Sequence, residues 1–405
     1  MNLLLWILLT LVVFSLVVFV HELGHFLAAR IMGMKVDEFG IGIPPRAKTL
    51  FRDTHGTLFT LNWLPIGGFV RIHGEERLPH TSPWDDTFQS KTWLQKSLVL
   101  LAWVAMNFLF AYLLFVWLFL SGAQPLGINP FPASGVTSYF LPTQREAETI
   151  GFLTFSGRII LSSLSWSIAE RAGISREEYF VSMSGISMTT PECTGNTQNS
   201  CTPEKIIDEI RKWKALTFTL EDTALWRRNV TITPENGKIG SAIGYEYGGF
   251  QSDSVYEAPW LTAFSMAGKE LSAQIALTWY GLRELVRKVF ISQDVHDHEE
   301  AKAMVAGPIG IGSAFVYAIE LHIPLSVIIL FVAMISLSLG FFNLLPIPAL
   351  DGGRFVTMTI VTFFSRFVRN PETLFLVERS LISLSFLLLI GLSLFIAYID
   401  VTKLF

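Results

Sequence analysis

Residues 3–27 read LLLWILLTLVVFSLVVFVHELGHFL, and residues 3–20 are apolar except for Thr10 and Ser15. A helix crossing the hydrocarbon core needs about 20 such residues at about 1.5 Å each. The run ends on His21, Glu22 and His25, ionisable groups that are expensive in lipid and are therefore expected to serve a function. No Lys or Arg precedes it, and it is longer than a signal-peptide core, so it reads as a membrane span.

Composition extends this to the whole chain of 405 residues. It is 51% hydrophobic and 16% charged, against about 25% charged in soluble proteins. The 33 Phe and 11 Trp fit a lipid boundary, and the mean hydropathy is +0.47. A net charge of −4 offers no basic excess, so nucleic acid is excluded as a partner and the lipid bilayer is expected instead. Two cysteines exclude a disulfide scaffold and a cysteine-based zinc module.

Three further runs meet the length test: Leu98 to Leu120, the stretch from Pro324 to about Leu345, and about Leu381 to Ile399. Four transmembrane helices are therefore expected. Residues 258–290 fall short, because the uncharged run Leu271 to Leu282 covers about 18 Å against a core of about 30 Å. Flanked by Lys269, Glu270, Arg283, Glu284, Arg287 and Lys288, this stretch is expected to be an amphipathic helix on the membrane surface. Lys and Arg crowd the loop after the first span (Arg30, Lys35, Arg46, Lys48, Arg52, Arg71) and recur after the third as Arg354, Arg366, Arg369 and Arg379. Both short loops are then cytoplasmic, with both termini and residues 121–323 outside.

In His21-Glu22-Leu23-Gly24-His25 the two imidazoles stand four residues apart, on one helix face. This is the HExxH pattern, in which the histidines hold zinc and the glutamate handles a proton. Catalytic zinc takes three protein ligands and keeps a fourth position open, so one ligand is still to be found. His55 and His73 are lone residues in the first loop and read as solvated or turn residues. His296-Asp297-His298-Glu299-Glu300 spaces its histidines at i,i+2, which diverge on a helix, and the topology puts it outside. There remains Asp351, in Asn343 to Gly353, NLLPIPALDGG. Pro346 and Pro348 break the helix, and broken backbone at membrane depth is tolerated only inside protein or beside a water-filled cavity. The first and third spans run in the same direction, so residues 21–25 and 351 reach the same cytoplasmic end. A fifth span over 258–290 would separate them.

HExxH on the first span, a broken third span ending in LDG and a large insert together resemble the site-2 protease family of intramembrane zinc metalloproteases. Within it they resemble the bacterial RseP-like branch, over most of the chain. Glu38-Phe39-Gly40-Ile41-Gly42 with Pro44-Pro45 is similar to the family's EFxIGxxP stretch. Residues 65–71, PIGGFVR, with Gly74-Glu75 resemble its membrane-reentrant β-loop, and Gly307-Pro308-Ile309-Gly310-Ile311 the segment before its third span. One departure is at 102–107, where AWVAMN stands for Ala-Gly-Pro-x-x-Asn. Asn107 is kept, but the Gly-Pro that packs helices closely is not.

Residues 135–248 resemble a single PDZ domain, with Ile168-Ala169-Glu170-Arg171-Ala172-Gly173-Ile174 matching SPAExAGL. Pro203 to Trp213 reads as a helix with apolar Ile206, Ile207 and Ile210, and Val230 to Thr233 as a strand. The usual Gly-Asp after AGL is Glu177-Glu178, so the insert is expected either to bind a peptide end or to act as a spacer. Cys193 and Cys201 lie in its polar loop on the oxidising side. A disulfide is expected there, with two free thiols as the alternative.

The fold class implied is a polytopic α-helical membrane protein of four transmembrane helices, with a membrane-reentrant β-loop and an inserted α+β PDZ domain. Its regions are residues 1–120, 135–248, 258–290 and 305–405. The resemblance implies Zn2+ on His21, His25 and Asp351, with Glu22 as the base, in a bacterial inner membrane. It also implies single-span substrates of the anti-sigma-factor or remnant-signal-peptide class, cut after a prior extracytoplasmic cleavage. A helical substrate must unwind to be cut, so an extended segment is expected to pair with Gly68, Phe69, Val70, Arg71 and Ile72 by β-addition. Asn343 either holds the substrate backbone, as its family counterpart implies, or makes an interhelical hydrogen bond.

Rival classes fit less well. A metal transporter needs no glutamate beside His21, and a membrane-anchored adaptor needs no polar cluster in its first span. A HExxH protease of prenylated substrates would take its third ligand from a later Glu or His motif, and none stands out.

Overall fold

In the computed structural model, the first helix ends where Gly33 takes φ +68. Gly33 N–H then bonds to Arg30 O, and Met34 N–H to Ala29 O. This Schellman closure satisfies carbonyls that a helix end leaves open, and only glycine adopts the left-handed backbone without steric cost. The structure describes residues 3–75, 86–131, 134–163, 168–174, 178–183, 186–187, 206–207, 210–211, 215–222, 226–235, 239, 241–250, 255–292, 295–305, 307, 310, 324–364 and 371–402.

In chain order the helices are α1 (Leu3–Ile31), α2 (Trp93–Ser121), α3 (Gln144–Thr149), α4 (Ile168–Arg171), α5 (Trp260–Val286), α6 (Val295–Met304), α7 (Leu325–Asn343), α8 (Asp351–Phe364) and α9 (Pro371–Thr402). The strands are β1 (Val36–Arg52), β2 (Leu58–Ile72), β3 (Leu153–Ser163), β4 (Glu178–Met183), β5 (Ile186–Ser187), β6 (Leu216–Glu221), β7 (Arg227–Ile232) and β8 (Ser241–Phe250). Among the described residues, four helices are long and apolar enough to cross a membrane: α1, α2, α7 and α9. The chain is a membrane protein. It divides into two units, Met1–Leu141 with Val255–Phe405, and Pro142–Ser254.

Two long strands fold on themselves beside α1. The first part of β1, residues 36–41, pairs with 68–72 on one side and with 58–61 on the other, while 46–52 pairs with 58–62. Four segments result, in the order 46–52, 58–64, 36–43, 67–72; each outer segment runs antiparallel to its neighbour, the two inner ones run parallel to each other, and 67–72 lies at an edge. Repeated register shifts bend the pair, as bulges do. The inner strand is pinned by Glu38, whose carboxylate accepts Arg46 at 2.7 Å, Arg71 at 3.1 Å and Thr60 Oγ1 at 2.9 Å.

Helix α2 opens on a capping box. Thr92 Oγ1 accepts Gln95 N–H, and Gln95 Oε1 accepts Thr92 N–H. It meets α1 backbone to backbone at Gly24, where a Cβ would stand 2.8 Å from Trp103 Cα and 3.1 Å from Ala102 O. The close contact that Gly-Pro would supply on α2 is supplied here by a glycine on α1. Gly24→Ala is therefore expected to force the helices apart and destabilise the protein by about 1–3 kcal/mol, the usual range for overpacking. Thermal unfolding in detergent micelles checks this, and an unchanged midpoint would show that the contact is not tight.

Helix α5, the stretch expected on the membrane surface, packs a face of small residues against two spanning helices. Ala263 and Ala267 share a core with Phe115 and Phe119 of α2 and with Leu330 and Ala333 of α7. Glu270 on this face is fully enclosed and accepts Ser138 Oγ, Tyr139 N–H and Gln274 Nε2 at 2.6–2.8 Å. Near the end of α9, Asp400 accepts the N–H groups of Gly307 and Gly310, so the approach to α7 is tied to the last span.

The second unit holds a six-stranded sheet in the order β7-β6-β4-β3-β8, with β5 beside β4. Leu161, Phe180, Phe218 and Leu220 form its core with Ile206 and Ile210, two of the residues that the helical pattern of 203–213 turns inward. Glu178 is buried and ion-paired with Arg228, which also bonds to Gly173 O. Cys193, Cys201, Glu177 and most of the GPIGI stretch lie outside the described residues.

Candidate metal centre

His21 and His25 share a face of α1 because four residues make about one turn at about 3.6 residues per turn. Their rings stand 5.4 Å apart, edge to face, and both residues are buried. Asp351 comes from the first turn of α8, after the proline-broken turn that ends α7. That turn is tight. A Cβ on Gly353 would lie 1.9 Å from Ile347 O and one on Gly352 2.4 Å from Leu344 O, so the backbone doubles back only on glycine.

Asp351 Oδ2 lies 3.4 Å from His21 Nε2 and 3.4 Å from His25 Nε2. Among the described residues these form the one group of three ligand-type side chains, with donor atoms within 4.8 Å of one another. Bonds of about 2.0–2.1 Å at tetrahedral angles would separate donors by about 3.3–3.4 Å, so the spacing fits a zinc ion. The hydrogen bonds fit as well. His25 Nδ1 lies 3.1 Å from Val99 O, an acceptor only, so Nδ1 carries the proton and Nε2 turns a lone pair toward the Asp351 carboxylate. Two acceptors facing each other in a buried place suit a cation between them.

The other Asp351 oxygen, Oδ1, lies 3.7 Å from Arg354 Nη1, and Arg354 is ion-paired with Glu75 beyond the edge strand. The i,i+3 spacing of Asp351 and Arg354 was legible in the sequence. Glu75 as their partner was not.

Glu22 turns toward the edge strand. Its carboxylate takes the Val70 N–H, and a Cβ on Gly68 would meet Glu22 Cγ at 3.6 Å. Phe69 covers Gly40 across the sheet, Arg71 lies over the Phe69 ring at 5.7 Å, and Ile72 is buried. Asn343 is the last residue of α7, its carbonyl facing Gly352. His55 and His73 stay apart from this group. His73 pairs with Asp37 at 2.8 Å, and His55 lies 3.2 Å from Thr54 Oγ1. On α6, Asp297 lies near Arg287, and Glu300 pairs with Lys288. Trp103, which stands at the glycine position of the Ala-Gly-Pro-x-x-Asn pattern, is fully buried with its ring 4.6 Å from that of His21.

Comparison with known proteins agrees with this geometry. The chain is 28% identical to a candidate zinc metalloprotease of Helicobacter pylori, over 88% of this chain and 89% of that one. It is 26% identical to a candidate zinc metalloprotease of a Nostoc species, over 97% and 94%. It is 25% identical to a candidate chloroplast membrane metalloprotease of Arabidopsis thaliana, over 97% and 79%. The sequence profile of peptidase family M50 matches residues 9–388. The chain belongs to peptidase family M50, the site-2 protease family of zinc metalloproteases.

Proposed function

We propose that this protease cuts the membrane-spanning segments of single-span proteins, with zinc held by His21, His25 and Asp351. The observation that carries this is the meeting of three ligand atoms and a neighbouring carboxylate, Glu22, beside an edge strand. Zinc, when bound, supplies Lewis acidity to the scissile carbonyl and to the attacking water. Glu22 takes a proton from that water and delivers it to the leaving amine nitrogen. The edge segment 67–72 has one side paired and one turned to Glu22, so an unwound substrate can add to Gly68–Ile72 as a further strand. Asn343, at the end of α7, holds the substrate backbone there. The sheet is the reentrant element, dipping from the cytoplasmic side, where Glu22 also lies. The membrane is the bacterial inner membrane.

The experiment is to purify the full chain in detergent, measure bound metal, and offer a single-span substrate with and without its extracytoplasmic part. One zinc per chain and cleavage inside the span are expected. A metal-loaded protein that cuts only soluble peptides would overturn the proposal.

The 142–254 unit is a PDZ domain outside the membrane that excludes substrates keeping a bulky extracytoplasmic part, so that a prior cut is required. With residues 142–254 replaced by a short flexible linker, the protein is expected to cut an untruncated substrate at a rate near that for the trimmed one. If a zinc-loaded protein of this kind still cuts only the trimmed form, the domain is no filter.

A further inference from the structure

His21 and His25 are held differently on the side away from Asp351. His25 Nδ1 meets a backbone carbonyl, which can only accept, so one tautomer is set permanently. His21 Nδ1 meets the side-chain amide of Asn107 at 3.2 Å, and that amide offers a donor at one end and an acceptor at the other. The two ends of that amide have the same shape, and the end that faces Nδ1 decides whether the His21 proton sits on Nδ1 or on Nε2, which faces Asp351 Oδ2 at 3.4 Å. An Nε2 that carries a proton cannot bind a metal. Asn107 is fully buried, and its Oδ1 has no partner among the described residues, so His21 alone sets which end of the amide faces it. The backbone beneath is fixed, since Ser336 Oγ of α7 donates to Asn107 O at 3.1 Å.

We propose that Asn107 is a positioning residue that sets the tautomer of His21 through its side-chain amide. Oδ1 would accept the Nδ1–H of His21, which leaves the Nε2 lone pair free to hold a metal. This rests on the zinc assignment above.

The test uses the full-length protein in detergent micelles, with zinc affinity measured by chelator competition. Asn107→Leu removes the partner and is expected to weaken zinc binding by about 10–100-fold, as loss of a partner behind a ligating histidine does. Asn107→Asp has the same shape but only accepts, so it is expected to bind zinc as tightly as the unaltered protein or more tightly. In ¹⁵N-histidine spectra of the zinc-loaded unaltered protein, His21 is expected to carry its proton on Nδ1. The resonance is assigned by its loss in His21→Gln. If Asn107→Asp unfolds at the normal temperature yet binds zinc as weakly as Asn107→Leu, or if the proton of loaded His21 sits on Nε2, the proposal is wrong. Should Asn107→Leu fail to fold, the aspartate variant and the spectrum decide alone. An unaltered protein that binds no zinc overturns the zinc assignment and this proposal together. One that binds zinc while Asn107→Asp loses it overturns this proposal only.

Discussion

A Glu22→Gln protein is expected to bind zinc at the normal stoichiometry and to have lost cleavage. Glutamine keeps the shape of the side chain and can still lie against the Val70 backbone, but it cannot take a proton from water. General acid–base catalysis contributes about 10²–10⁴-fold, and here one carboxylate serves both to take and to return the proton, so the loss should lie at the upper end of that range. The ligand set is untouched, because His21, His25 and Asp351 do not depend on Glu22 for their mutual distances. Metal analysis beside a cleavage assay on a single-span substrate checks both halves. Ordinary cleavage by this variant would sink the mechanism.

Removing the Asp351 carboxylate should cost metal and activity together. In Asp351→Ala, His21 Nε2 and His25 Nε2 each lose the oxygen that stands 3.4 Å away, and Arg354 loses its neighbour at 3.7 Å. Two imidazoles one helical turn apart are left, a much weaker site than a three-ligand one. Zinc affinity is expected to fall by more than the about 10–100-fold that loss of an outer partner brings, and cleavage to vanish with it. His21→Ala and His25→Ala should behave alike. The contrast with Glu22→Gln is diagnostic, since that variant loses activity alone. An Asp351→Ala protein that still holds one zinc would remove Asp351 from the ligand set.

The two variants probe features that differ in how plainly they stand in the chain. The spans are legible because a lipid-crossing helix must be apolar along its whole length and must satisfy its own backbone. The pairing of His21 with His25 is legible because helix periodicity alone puts them on one face. Asp351 was reached by eliminating other candidates, by its proline-broken setting and by counting spans, which say which end of the bundle it occupies and nothing of its distance from the histidines.

Other features have no local mark. The folding of β1 and β2 into four segments depends on register shifts that bring residues 36–41 between two partners, and a strand's alternation of side chains does not reveal which strand lies beside it. Helix α5 reads as amphipathic and charged at its ends, yet its alanines lie in the core of the spanning helices, because small residues pack closely wherever another helix offers them a surface.

The chain by itself thus determined the elements and the chemistry they carry: four apolar helices, a histidine pair one turn apart, and a proline-broken end with an aspartate. Those properties depend on neighbours a few residues away, and local spacing expresses them in full. Tertiary structure alone decided the partners: the Val99 carbonyl behind His25, the Asn107 amide behind His21, Trp103 against the imidazole, and Glu75 holding the arginine beside Asp351. Each of these joins residues far apart in the chain. Such contacts are set by how closely the chain approaches itself, here through Gly24 between α1 and α2 and Gly353 in the turn before α8, and not by the identity of either partner.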